Sequence, residues 1–132
     1  MTPEQVSLVQ SSWQKVVPIK DQASQIFYNQ LFEIDPSLRS LFNQDLTEQR
    51  RKLMTMLDTA VRNLQNPQTI VPAVRELGKR HVKYGVRRDD YNSVATALLA
   101  TLEKGLGPEF TPETKKAWIA AYTLLTGVMQ QE

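Results

Sequence analysis

The chain has no cysteine and only one histidine among its 132 residues. The first absence excludes disulfides, thiolate nucleophiles and cysteine metal sites. The second leaves His81 as the sole imidazole, and a protein zinc site needs three or four ligands. Long apolar runs are also missing: none approaches the roughly 18 residues of a membrane span. The opening MTPEQVSLVQ has neither the basic start nor the apolar centre of a secretion signal. These absences predict a soluble, cytoplasmic protein with no membrane partner. Charge of one sign is scarcely in excess, at net +2. The basic residues come in small groups, Arg50-Arg51-Lys52, Lys79-Arg80, Arg87-Arg88 and Lys115-Lys116. A nucleic-acid binder gathers its cations on one face, so these groups read as solvated helix faces and no nucleic-acid partner is expected.

What is present is helical periodicity. Val6, Val9, Trp13 and Val16 form one apolar stripe, preceded by Thr2, Pro3 and Gln5 in the order of an N-cap, an N1 proline and a capping box. Pro18 ends or kinks that helix. A second helix carries Ala23, Phe27, Leu31 and Ile34 on one face. Asp35-Pro36 opens the short segment PSLRSLF, which closes near Phe42. A long helix from about Leu46 to Leu64 turns Leu46, Leu53, Leu57, Ala60 and Leu64 inward, until Asn66-Pro67 breaks it. The next holds Ile70, Val74, Leu77 and His81 and stops near Gly85. Asp89 or Asp90 caps another, which buries Val94, Leu98, Leu99 and Leu102 and runs to about Gly105. After a turn at Gly107-Pro108, Thr111-Pro112 opens the last helix, with Trp118, Tyr122, Leu125 and Met129 near helical spacing. The reading is all-α, about six to eight helices, with residues 1–132 as one domain.

Two polar residues interrupt the apolar stripes. His81 follows Ile70, Val74 and Leu77 at steps of four, three and four, so it points inward with them. Gln49 lies three after Leu46 and four before Leu53, on or near the inward face. Each needs a partner when buried, because an unpaired polar group costs about 1–3 kcal/mol. A packed, hydrogen-bonded core histidine satisfies that need, and so does a metal. Among metals, haem iron suits a one-histidine chain best, since the porphyrin supplies four of its ligands.

The motifs FYNQLF, PSLRSLF, RHVKYGV and LEKGLGPEFTPETKKAWIAAY, in this order and spacing, resemble the globin family. More narrowly they are similar to single-domain bacterial globins related to flavohaemoglobins and to neuroglobin. The resemblance runs from Pro3 to Met129. It implies a globin fold, a three-over-three helical sandwich around one haem b (iron protoporphyrin IX). His81 would be the metal ligand, with the Leu77 carbonyl fixing its tautomer. Phe42 matches the phenylalanine that family members stack on the porphyrin. Leu77, Val86, Tyr91 and Val94 would line the proximal side and haem edge. Lys52 and neighbouring arginines would reach the propionates or simply stay solvated.

On the distal side the resemblance places Tyr28 and Gln49 as hydrogen-bond donors to bound gas and Leu53 as the apolar wall. It implies reversible binding of O2, with CO, NO or other small diatomics as further ligands, and high O2 affinity from slow release. With no second histidine, bis-histidyl coordination is excluded, and the unliganded ferrous protein should be five-coordinate. Nitric oxide dioxygenase chemistry is the alternative. It would need a separate reductase, and its catalytic candidates would be Tyr28, Gln49 and Tyr91. Relatives of that kind add a proximal glutamate, for which Glu132 is shifted by one place. A haem-based gas sensor or a haem-free interaction domain completes the set.

Overall fold

Most of the helices begin where orphan backbone donors find a side-chain acceptor, or where a proline removes the donor. The computed structural model describes residues 1–42, 45–83 and 85–129, without the side chains of Lys83 and Arg88. In α1 (Pro3–Val16) the Gln5 amide donates to Thr2 Oγ1 at 3.1 Å, and the Thr2 amide donates back to Gln5 Oε1 at 3.0 Å. The expected stripe Val6, Val9, Trp13 and Val16 is buried. Pro18 sits in a 3-10 turn, Val17–Ile19, that leads into α2 (Lys20–Ile34). Ala23, Phe27 and Leu31 are buried there, but Ile34 is 41% exposed. It is the last residue of α2, where the chain leaves the core for the 3-10 turn Pro36–Leu41. The Asp35 carboxylate caps that turn, accepting from the Ser37 amide at 3.1 Å.

Helix α3 (Thr47–Arg62) is shorter than the apolar pattern suggests. Leu46 precedes it and Leu64 follows it, and Leu64 is nonetheless buried. Its inward face is Met54, Leu57, Ala60 and Val61, with Leu53 only half-buried. A 3-10 turn at Pro67–Thr69 precedes α4 (Val71–Lys83). Gly85 has φ +88°, a conformation that other residues rarely adopt. It ends α4 by turning the Val86 amide back onto the His81 carbonyl at 3.0 Å. Helix α5 spans Arg88–Leu106. Neither Asp89 nor Asp90 is its cap: the cap is Arg87, and Asp90, at the third helical position, accepts from the Arg87 amide at 2.8 Å. A carboxylate there meets the first-turn donors as well as the positive end of the helix dipole. The 3-10 turn Gly107–Glu109 leads to α6 (Pro112–Met129), whose Thr114 amide donates to Thr111 Oγ1 at 3.2 Å. No helix is long and apolar enough to cross a membrane among the described residues.

The six α-helices among the described residues pack as two layers, α1, α3 and α4 over α2, α5 and α6. The main contacts between layers are α1 with α6, α4 with α6 and α2 with α3; within layers α2 lies along α5. Two indoles tie the layers at the centre. Trp13 and Trp118 lie 6.1 Å apart with their rings inclined at 58°. Trp118 Nε1 donates to Ser12 Oγ at 2.8 Å, and Trp13 Nε1 donates to Asp58 Oδ1 at 3.0 Å. Both buried N–H groups are therefore paired, as large amphipathic rings in a core require. In the first layer α1 packs on α3, whereas α3 and α4 make no comparable contact. The helix of Gln49 and the helix of His81 thus have little direct contact.

Candidate functional site

His81 lies in the last full turn of α4 and is half-buried. Its Nδ1 is buried and has no hydrogen-bond partner among the described residues. The Leu77 carbonyl therefore does not accept from it. Burial, and then the neighbouring Arg80 charge, lower the imidazole pKa from its usual value and favour the neutral form. Neutral imidazole is the form that binds metal.

Tyr91 on α5 stands beside it, with ring centroids 6.2 Å apart in an edge-on arrangement. The Tyr91 backbone carbonyl accepts from the Tyr122 hydroxyl of α6 at 2.5 Å. Burial, helped by Tyr91, raises the Tyr122 pKa, so that hydroxyl keeps its proton and stays a donor. Tyr122 was legible in the sequence only as an apolar ring near helical spacing; nothing in the pattern announced its hydroxyl. Leu77, Val86 and Val94 are half-buried, and the exposed Val82 follows His81 on α4.

The second cluster is aromatic and comes from α2 and the turn after it. Tyr28 is 4% exposed. Its ring meets Phe27 at 5.0 Å, Phe42 at 5.6 Å and Phe32 at 5.9 Å. Phe32 and Phe42 also meet each other, at 5.7 Å. The Arg39 guanidinium lies 5.4 Å from the Phe32 ring centre and donates to the Phe42 carbonyl at 3.2 Å. Phe32 and Arg39 are the supports that sequence reading passed over, although Phe32 closes the quoted FYNQLF. Phe42 is thus held by two rings and a cation while staying partly open.

Gln49 is exposed, not inward as its spacing suggested. It sits in the first turn of α3. Its side chain nevertheless lies near enough to Tyr28 to act on the phenol. Burial pushes the Tyr28 pKa up to about 12, and the Gln49 contact works the other way. A donation from the Gln49 amide to the phenol oxygen has that effect. The Tyr28 proton then remains in place at neutral pH and available to a further partner. Leu53, one turn along α3, is half-buried, and Lys52 is exposed. Tyr84 of the RHVKYGV motif and Glu132 lie outside the described residues.

These residues fit a haem better than they fit each other. A core histidine kept for packing should have its ring nitrogens satisfied; His81 has a buried one that is not. Leu53, Leu77, Val86 and Val94 are only half-buried, so apolar surface is left for a flat apolar group. Among the described residues no three His, Asp or Glu side chains cluster as metal ligands, so any iron here would depend on a prosthetic group for most of its ligands.

Comparison with known proteins points the same way. The family model for Globin matches residues 25–129. The chain is 27% identical over 136 residues to neuroglobin from Danio rerio, covering 92% of this chain and 86% of that one. It is 28% identical to the flavohemoprotein of Xylella fastidiosa over 98% of this chain, which is only 33% of the flavohemoprotein. Among solved structures, the engineered carbene transferase RmaNOD from Rhodothermus marinus superposes with a TM-score of 0.88 at 28% identity, covering 98% of this chain and 90% of its own. With an all-helical two-layer fold and a family match over residues 25–129, most of its length, the chain belongs to the globin family.

Proposed function

We propose that residues 1–132 form one globin domain that binds haem b through His81 and reversibly holds O2, other diatomics such as CO and NO competing for the same place. What supports this reading is the family match over residues 25–129, together with a half-buried imidazole kept neutral on a helix that makes little contact with α3. When bound, the haem supplies a ferrous iron that takes small diatomic gases. The chain supplies the rest. His81, kept neutral by burial, offers a nitrogen lone pair to the iron. Tyr91 packs edge-on against the imidazole and limits its rotation. Phe42, braced by Tyr28 and Phe32, presents an aromatic surface for stacking. Tyr28 holds a proton that a polar bound ligand draws on, and Gln49 orients the phenol that carries it. Leu53 keeps that corner apolar, which strengthens the donation by excluding water.

The test is a set of spectra on the purified protein after loading with haemin. A sharp Soret band, a five-coordinate deoxy ferrous form and an oxygenated form that returns to deoxy under argon are expected. A colourless protein that does not take up haemin overturns the reading. The relation to a flavohemoprotein, of which this chain spans a third, favours a second reading, nitric oxide dioxygenation with a separate reductase. Repeated nitrate production by the oxygenated protein with a cellular reductase separates it from simple oxygen binding. A single stoichiometric burst does not.

A further inference from the structure

One residue of α4 breaks the rule for helix interiors. Gly78 lies in the middle of the helix, one turn before His81, where glycine weakens a helix relative to alanine. It is buried. A Cβ built on it would stand 2.0 Å from the Met129 carbonyl oxygen, 2.7 Å from the Met129 carbonyl carbon and 2.8 Å from its Cα. All three are backbone atoms of the last turn of α6, so no side-chain rotation relieves the overlap. The helices are in contact at a distance that only a glycine permits. By contrast, a Cβ on Gly127, two residues earlier on α6, would meet nothing within 4 Å.

We propose that Gly78 is a positioning residue: by presenting no Cβ it lets the last turn of α6 seat directly on α4, and this seat sets where the His81 imidazole stands. The geometry supports transmission along a short path. Three residues, less than one helical turn, separate Gly78 from His81. A helix cannot move sideways at one turn and stay fixed at the next without breaking its ladder. The His81 ring already packs edge-on against Tyr91 at 6.2 Å, so a shift of α4 on α6 changes how the imidazole stands against it. The loss of helix stability at Gly78 is the counterpart of this close approach. The inference rests on His81 as the haem ligand.

The test compares Gly78→Ala with Gly127→Ala and the parent, each loaded with haemin. Gly78→Ala should shift the iron–histidine stretching band of the deoxy ferrous protein and speed haem loss by about tenfold, the factor that 1.4 kcal/mol of misplacement gives. Gly127→Ala should leave both unchanged. Hydrogen exchange of the parent keeps the idea testable should Gly78→Ala not fold. Loading haemin should slow exchange at amides 125–129 of α6 as well as in α4. A Gly78→Ala protein with the parent band and parent haem loss, or a parent whose α6 end is indifferent to haemin, overturns the proposal. A parent that never takes up haemin sinks the proposed function instead, so the two failures are distinct.

Discussion

Tyr28 concentrates the residue-scale argument. A phenol this buried keeps its proton to about pH 12, and Gln49 touches its oxygen without taking that proton. On the proposed reading, Tyr28→Phe and Gln49→Leu should each speed O2 dissociation. One charge-assisted hydrogen bond contributes about 1.5–3 kcal/mol, so roughly ten- to a hundredfold is expected for Tyr28→Phe. Gln49 acts partly through Tyr28, so the double variant should fall short of the product of the two effects. Stopped-flow displacement of O2 by CO checks this; unchanged rates in both single variants would remove the distal assignment. At this scale the sequence was informative where a residue is large and its motif local. FYNQLF and PSLRSLF pointed to Tyr28 and Phe42, and the structure puts their rings in contact. Spacing failed for Gln49, because periodicity sorts positions around a helix and not how deeply each one is covered along it, and Gln49 sits in the first turn.

At the scale of elements, α1 and α3 are joined by an unusual tie. Asp58 Oδ1 accepts from Trp13 Nε1 at 3.0 Å, and Asp58 Oδ2 meets Arg62 Nε at 2.9 Å. The indole donation first, and Arg62 after it, hold the Asp58 pKa below the usual carboxylate value. A depressed carboxylate pKa means stability that is complete above the unfolded value, near pH 4, and lost as pH falls through the folded one. Asp58→Ala leaves the Trp13 N–H without its partner and should cost about 1–3 kcal/mol at pH 7. Urea unfolding at pH 7 and again below pH 3 should show the gap between parent and variant narrowing in acid. A gap of constant size would mean the carboxylate's charge contributes nothing. The elements themselves were largely legible: all six α-helices lie where the apolar stripes put them, because their caps and prolines are local signals. The ends were less so. Leu46 and Leu64 were read into α3 since burial, not helical geometry, is what hydropathy records; both are apolar yet lie outside the helix. The pairing of α4 with α6 through Gly78 was invisible, since a glycine in a helix signals weakness in the sequence and only the partner helix shows its use.

At the scale of the molecule, burial is uneven. The packed centre is built from α1, α2, α5 and α6, where Val9, Trp13, Leu31, Ala97, Leu102 and Ala117 are at most 2% exposed. Helix α4 contributes no apolar side chain to this buried set, its Val74 and Leu77 being only half-buried, and Val82 is 72% exposed. Local opening is easiest where few apolar contacts would be lost. Without haem, α4 should therefore exchange its amide hydrogens well before α1, α2 and α5, even at pH 7 where the whole is folded. Haem would bind the folded state and not the unfolded chain, so at a thousandfold excess over its dissociation constant it adds about 4 kcal/mol. For a chain of this size that raises the midpoint of thermal unfolding by on the order of 10 °C. The gain should be local as well as global: protection should rise most in α4 and the first turns of α3, which have little direct contact with each other, and least around Trp13 and Trp118, already sealed against each other. Hydrogen exchange followed by mass spectrometry, with and without haemin, resolves the two patterns. Protection spread evenly over all six helices would mean that the cofactor does not enter between α3 and α4.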